Sequence, residues 1–207
     1  MLAWGFGIGT QIIIARRKGE QALDQIGRTF QHGFYFQLPL ALALFSLMQF
    51  FSSDLMQLIL RSVEGYHYTP VFIKYRSYGI FFASVNMLFN GFYIGIARTK
   101  VITWATLIMA LVNVALDYGL IFGNLGLPEM GIGGAGLASA IAEFTGTVFF
   151  VLFTLLKLDG KKFNLYKLAK FDEVLYKRII RVASPVMLQN FFSMAAWLAF
   201  FLFIEKL

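Results

Sequence analysis

The sequence predicts an all-α integral membrane protein, a polytopic bundle of about six transmembrane helices. Three observations carry this. The 207 residues are 58% hydrophobic with 24 Phe, and mean hydropathy is +0.69. Only 14% of residues are charged, against roughly 25% in a soluble domain. Several apolar runs reach about 20 residues, the length that crosses the hydrocarbon. Only helices and closed barrels span lipid, and these runs lack the alternation over ~10 residues that marks barrel strands.

The first apolar segment, about 1–15, is "MLAWGFGIGTQIIIA". At ~1.5 Å per residue it covers about 22 Å, short of a core of ~30 Å, so it reads as cut off at its start. The second runs over about 30–52 and carries Pro39. The third, about 71–97, has a polar first turn expected at the interface. The fourth covers about 101–123. The fifth, about 132–156, opens on "GIGGAGLASAIAE", and the sixth, about 179–205, has Pro185 in its first turns. Both prolines predict kinks.

Charge orders these segments across the bilayer. Arg16, Arg17, Lys18 and Arg28 follow segment one, and Arg98 and Lys100 separate segments three and four. Lys157, Lys161, Lys162, Lys167, Lys170, Lys177, Arg178 and Arg181 lie between five and six. These alternate connections hold fourteen of the 18 basic residues; Arg61, Lys74, Arg76 and Lys206 make up the rest. The positive-inside rule puts the first group in the cytoplasm. Segment one then starts outside and runs inward, which predicts at least one preceding span. The long basic connection, about 157–178, interleaves Phe163, Leu165, Leu168, Phe171, Val174 and Leu175 with lysines. It fits either an interfacial amphipathic helix or a solvated linker that obeys the topology rule. It is also the best boundary between two bundles.

The same distribution accounts for the net charge of +7 without nucleic acid. The absence of cysteine excludes disulfides, thiolate metal sites and cysteine nucleophiles. Residues 1–15 lack a basic n-region and an A-x-A-like site, so no cleavable signal is read. His32 and His67 are single and far apart, too few for a metal cluster. No Walker A motif, strand-linked GxGxxG, Ser-x-x-Lys or G-x-S-x-G is present, and no enzyme is expected.

Polar residues inside the apolar runs are the candidate site. Asn113 and Asp117 are i and i+4, on one helix face. An ionisable group there is a functional candidate by default. Burial in a low dielectric disfavours a charged carboxylate, so Asp117 can exchange a proton across the membrane while Asn113 bonds it or a substrate. The alternative is an interfacial Asp117 that meets water. Asn86 and Asn90 repeat the spacing in segment three, as cavity lining or as helix–helix hydrogen bonds. Ser139 and Glu143 repeat it in segment five, lining the same cavity or making a structural polar contact. Gly5-x-x-x-Gly9, Gly91-x-x-x-Gly95 and Gly136-x-x-x-Ala140 let backbones approach closely.

The stretches "GFGIGTQIIIARRKGE", "NMLFNGFYIGIARTK", "ALVNVALDYGLIFGNLGLPEMGIGGAGLASAIAE" and "ASPVMLQN" together resemble the multidrug and toxic compound extrusion (MATE) transporters of the prokaryotic kind. The Asn-x-x-x-Asp followed by Gly, with a Gly-rich start to the next helix, carries most of the specificity. Family members have twelve helices in two six-helix lobes. The resemblance covers essentially the whole chain and implies helices two to seven. Residues 1–157 would be a partial N-lobe, 158–178 the cytoplasmic inter-lobe loop, and 179–207 the first C-lobe helix. Helix one and helices eight to twelve would be the missing remainder.

By this resemblance Asp117 and Asn113 match the helix-five pair of the proton and substrate network, and Asn86 and Asn90 the cavity amides of helix four. Ser139 stands where Thr is frequent. Glu143 stands where a non-acidic residue is usual, a departure that bears on substrate preference. The acidic residue of helix one is missing with its helix. The helix-seven cation-site Glu falls at about Ser193, so no sodium site is expected there. Glu205 reads as an interface residue.

The function implied is a secondary active antiporter of the inner (plasma) membrane. It exports cationic or amphiphilic drugs in exchange for H+ or Na+, with no other cofactor. Two rivals stand beside it. A lipid-linked oligosaccharide flippase of the same superfamily would carry cavity arginines, and no mid-membrane Arg is read here. A non-transporting membrane scaffold would show no dependence on Asp117 or Asn113.

Overall fold

The computed structural model describes residues 2–59 and 63–204, apart from the side chains of 2, 53–59, 63–68 and 202. The side chains of Arg61, His67, Glu205 and Lys206 lie outside the described residues. The described residues form helices joined by turns, with no strand among them: α1 (Leu2–Gly19), α2 (Asp24–Ile59), α3 (Val63–Ser77), α4 (Gly79–Gly95), α5 (Lys100–Phe122), α6 (Ile132–Lys157) and α7 (Glu173–Ile204). Residues 24–52 of α2, α5 and α6 are each long and apolar enough to cross a membrane, and α4 is a shorter apolar helix.

Seven helices stand among the described residues where about six were expected. The third predicted segment is two elements, broken at Tyr78. Ser77 turns its hydroxyl back to donate to the Lys74 carbonyl at 2.8 Å, and Gly79 follows. A back-bonding Ser beside a Gly is a common origin of a helix break. Helices α2 and α7 begin six residues before the apolar runs at 30 and 179, because hydropathy marks the lipid-soluble stretch and not the polar turns that start the helix. The connection over 158–172 forms turns and no amphipathic helix. Asn164 takes a left-handed φ of 52° there, which interrupts helical propagation.

Two compact units partition the chain. The first comprises residues 1–37, 87–99 and 159–207. Here α1 packs along α7, and the glycine stripe explains how. A Cβ on Gly5 would come 2.8 Å from the Met187 Cα, and one on Gly9 would run into Ala183. Phe6, Ile14, Phe30, Phe92 and Tyr93 fill the core, with Phe6 stacked on Phe36 at 4.2 Å.

In the same unit, α2 captures the 158–172 connection through three side chains within about one turn. Arg28 pairs with Asp172 at 3.0 Å. The Gln31 amide donates to the carbonyls of Leu165 and Lys167 and accepts from Ala169 N–H. The buried His32 accepts the Asp172 N–H on Nε2 at 2.8 Å, so its Nδ1 carries the proton and donates to the Arg28 carbonyl at 2.7 Å. Phe163 is buried and packs edge-on against Phe92, whereas Leu168 is 97% exposed. The apolar residues of this connection thus do not form one membrane-facing side.

The second unit comprises 38–86 and 100–158. Both α3 and α5 pack on α6, whose buried face carries only small residues from Gly133 through Gly134, Gly136, Ala138, Ala140 and Ala142 to Gly146, with Phe150 and Thr154 buried further along. Most of the large apolar residues of α5 and α6 point outward instead. Trp104, Leu107, Leu111 and Val114 on α5 and Leu152, Leu155 and Leu156 on α6 are exposed. In water such a surface would be an aggregation patch; in a bilayer the lipid solvates it, and small residues pack the interior.

Candidate functional site

Five of the six predicted site residues belong to the second unit: Asn86 from α4, Asn113 and Asp117 from α5, Ser139 and Glu143 from α6. The small-residue face of α6 brings these backbones together. At Gly146 an added Cβ would meet the Met109 side chain and lie 3.2 Å from Asn86 Nδ2.

A polar network centres on Asn86, which is 4% exposed. Its Nδ2 donates to the Glu143 carbonyl at 2.9 Å and to the Glu143 carboxylate at 2.8 Å. Its Oδ1 accepts from the Thr147 hydroxyl at 2.9 Å. Arg76, at the end of α3, stands 3.6 Å from the other Glu143 carboxylate oxygen, with Arg76 35% and Glu143 20% exposed. Glu143 is thus a paired anion with an amide donor on one oxygen and a guanidinium on the other. The sequence reading of Arg76 as an interfacial residue did not foresee this pairing. No local signal could: 67 residues separate the partners. Thr147 could have been found, since it repeats the i+4 spacing from Glu143.

The α5 residues form a different environment. Asn113 Nδ2 lies 3.5 Å from Ser139 Oγ, a long contact between the two predicted pairs. One turn along, the Asp117 Oδ1 is buried with no hydrogen-bond partner among the described residues. A desolvated carboxylate oxygen without a donor is costly, and such atoms mark places where a proton, cation or ligand group is favoured. Asn90 belongs to the first unit, where its Oδ1 is likewise buried and unpaired among the described residues. No group of three or more metal-ligating side chains occurs among the described residues.

The fold and these intramembrane polar groups define a class: a polytopic, multi-pass α-helical membrane protein with a polar interior of the kind transporters carry. Comparison makes this specific. The family model described as MatE matches residues 1–119, and the chain belongs to that family. The chain is 24% identical over 211 residues to a probable multidrug resistance protein NorM of Idiomarina loihiensis, covering 100% of this chain and 45% of that protein. It is 24% identical over 163 residues to a probable multidrug resistance protein NorM of Agrobacterium fabrum, covering 78% and 35%. A crystal structure of a MATE protein in a bent conformation superposes with TM-score 0.82 at 23% identity, covering 95% of this chain and 43% of that one. An inward-facing MATE transporter gives 0.76 at 21% identity, covering 90% and 42%. The chain therefore spans less than half the length of the relatives it matches, and the structural likeness is one of fold.

Proposed function

We propose that this chain is part of a secondary active antiporter that exports cationic or amphiphilic compounds in exchange for H+ or Na+ across the inner membrane. Residues 1–157 contribute to one lobe, 158–178 connect the lobes on the cytoplasmic side, and 179–207 open the second. Transport would proceed by alternating access, with the lobes rocking about a site near the midplane.

One observation carries the reading: the Asp117 carboxylate, intramembrane on α5, has a buried oxygen with no protein donor. A carboxylate so placed favours a proton or a bound cation, and only one of them at a time. That exclusivity is what antiport needs. Asn113 and Ser139 supply neutral polar contacts one turn away. Asn86 and Glu143 stabilise the α4–α6 wall beside them. The naming of curated relatives as multidrug resistance proteins agrees with this assignment. The flippase rival is weaker, because the arginine near the cluster, Arg76, is engaged by Glu143 and not free for a pyrophosphate. The reading assigns the chain no enzymatic reaction.

The test is export of a fluorescent cation from cells expressing the gene that encodes this chain. Asp117→Asn should abolish export, at least tenfold in rate, while membrane abundance stays at the wild-type level. Wild-type export by that variant would overturn the proposal and favour a scaffold.

A further inference from the structure

Arginines from three separate helices converge at one end of the first unit. Arg17 comes from the last turn of α1, Arg28 from the first turns of α2, and Arg178 from the start of α7. With Gln25, Thr29 and Asp172 they line a cleft of about 180 Å³. Three guanidinium groups face a single lining carboxylate, so the cleft is net positive. That carboxylate is largely committed: Asp172 accepts the Leu175 N–H at 3.0 Å and pairs with Arg28. Arg17 reaches Glu20 only at 3.6 Å, and Glu20 makes its shorter contact with Arg16 at 2.8 Å. Arg178 makes no salt bridge among the described residues, and the more distant Glu20 carboxylate feels its charge.

We infer that this cleft binds a phosphate group, presented by an anionic lipid headgroup or as free phosphate. Guanidinium forks match phosphate oxygens in pairs, and converging arginines are the usual way to hold them. The Gln25 amide and Thr29 hydroxyl add neutral hydrogen-bonding groups in the same wall. The depth fits as well. The cleft lies where α1, α2 and α7 meet the connections that hold most of the basic residues, the level at which cytoplasmic headgroups sit. A phosphate there would tie three helices to one anion.

The test is native mass spectrometry of the purified chain released from detergent micelles, with phosphatidylglycerol and phosphatidylcholine as probes at equal concentration. Wild type should retain phosphatidylglycerol about tenfold better, the scale set by one or two charge-assisted pairs. The double change Arg17→Gln with Arg178→Gln should bring the two lipids level, and Arg178→Gln alone, at an exposed position that leaves helicity by circular dichroism unchanged, should fall between. Displacement of phosphatidylglycerol by millimolar inorganic phosphate would identify a general phosphate site, and resistance to it a headgroup site. Equal retention of both lipids by wild type, or an undiminished preference in the double variant, would overturn the inference.

Discussion

Two acidic residues within the apolar helices of one unit have opposite surroundings. Glu143 is satisfied by Asn86 and Arg76, whereas Asp117 holds a buried oxygen without a donor. The first arrangement secures a wall, and the second leaves chemistry available. This divides their mutational behaviour. Glu143→Ala strips the buried Asn86 of an acceptor and leaves Arg76 unpaired. It should cost about 1–3 kcal/mol, the range for orphaning a buried polar partner. Glu143→Gln keeps an acceptor for Asn86 and loses only the partly exposed ion pair, which should cost under about 1 kcal/mol. Unfolding by SDS titration in mixed micelles reads the difference. Equal effects of the two changes would mean the Asn86 bond contributes little.

At the scale of elements, α7 depends on how it starts. Asp172 precedes the helix and caps it, accepting the Leu175 N–H. That hydrogen bond first, and the Arg28 charge beside it, hold the Asp172 carboxyl below the usual carboxylate range. The folded state thus binds this proton more weakly than the unfolded state does. The cap's contribution is complete above the unfolded value of about 3.9, and it is lost as pH falls through the lower folded value. Asp172→Asn preserves an N-cap but removes the titration. The stability difference between wild type and this variant should stay level from neutral to about pH 5 and shrink below it. Working with the difference separates Asp172 from Arg28 and His32, the other ionisable groups at this joint. A difference that is flat down to pH 2 would contradict the assignment.

At the scale of the molecule, the chain carries its own topology experiment, because it contains no cysteine. Leu125, in the α5–α6 turn, is 71% exposed, and Leu168, in the basic connection, is 97% exposed. If the basic connections face the cytoplasm, Leu125→Cys should react with a membrane-impermeant maleimide in intact cells. Leu168→Cys should react only after permeabilisation. The reverse pattern would invert the assignment.

Much of the fold was legible from hydropathy and charge, because lipid leaves a chain few options. Runs of about 20 apolar residues must be helices, and α5 and α6 fall within a residue of their predicted limits. The candidate polar residues were legible for the same reason: a charge or amide in such a run stands out. Two matters were not legible. The break at Tyr78 depends on one hydroxyl turning back on its own helix. The 158–172 connection avoids a helix because Gln31 and His32, more than 125 residues away in sequence, bind its backbone.

The sequence by itself determined that this is a multi-pass helical membrane protein with ionisable groups in its apolar helices. Those properties follow from composition, run length and local spacing, each a short-range feature of the chain. The tertiary structure decided which acid is paired and which is not, and which arginines share a cleft. Partnership is set by backbones brought into contact through glycine and alanine faces, and no local pattern encodes which distant side chain arrives there.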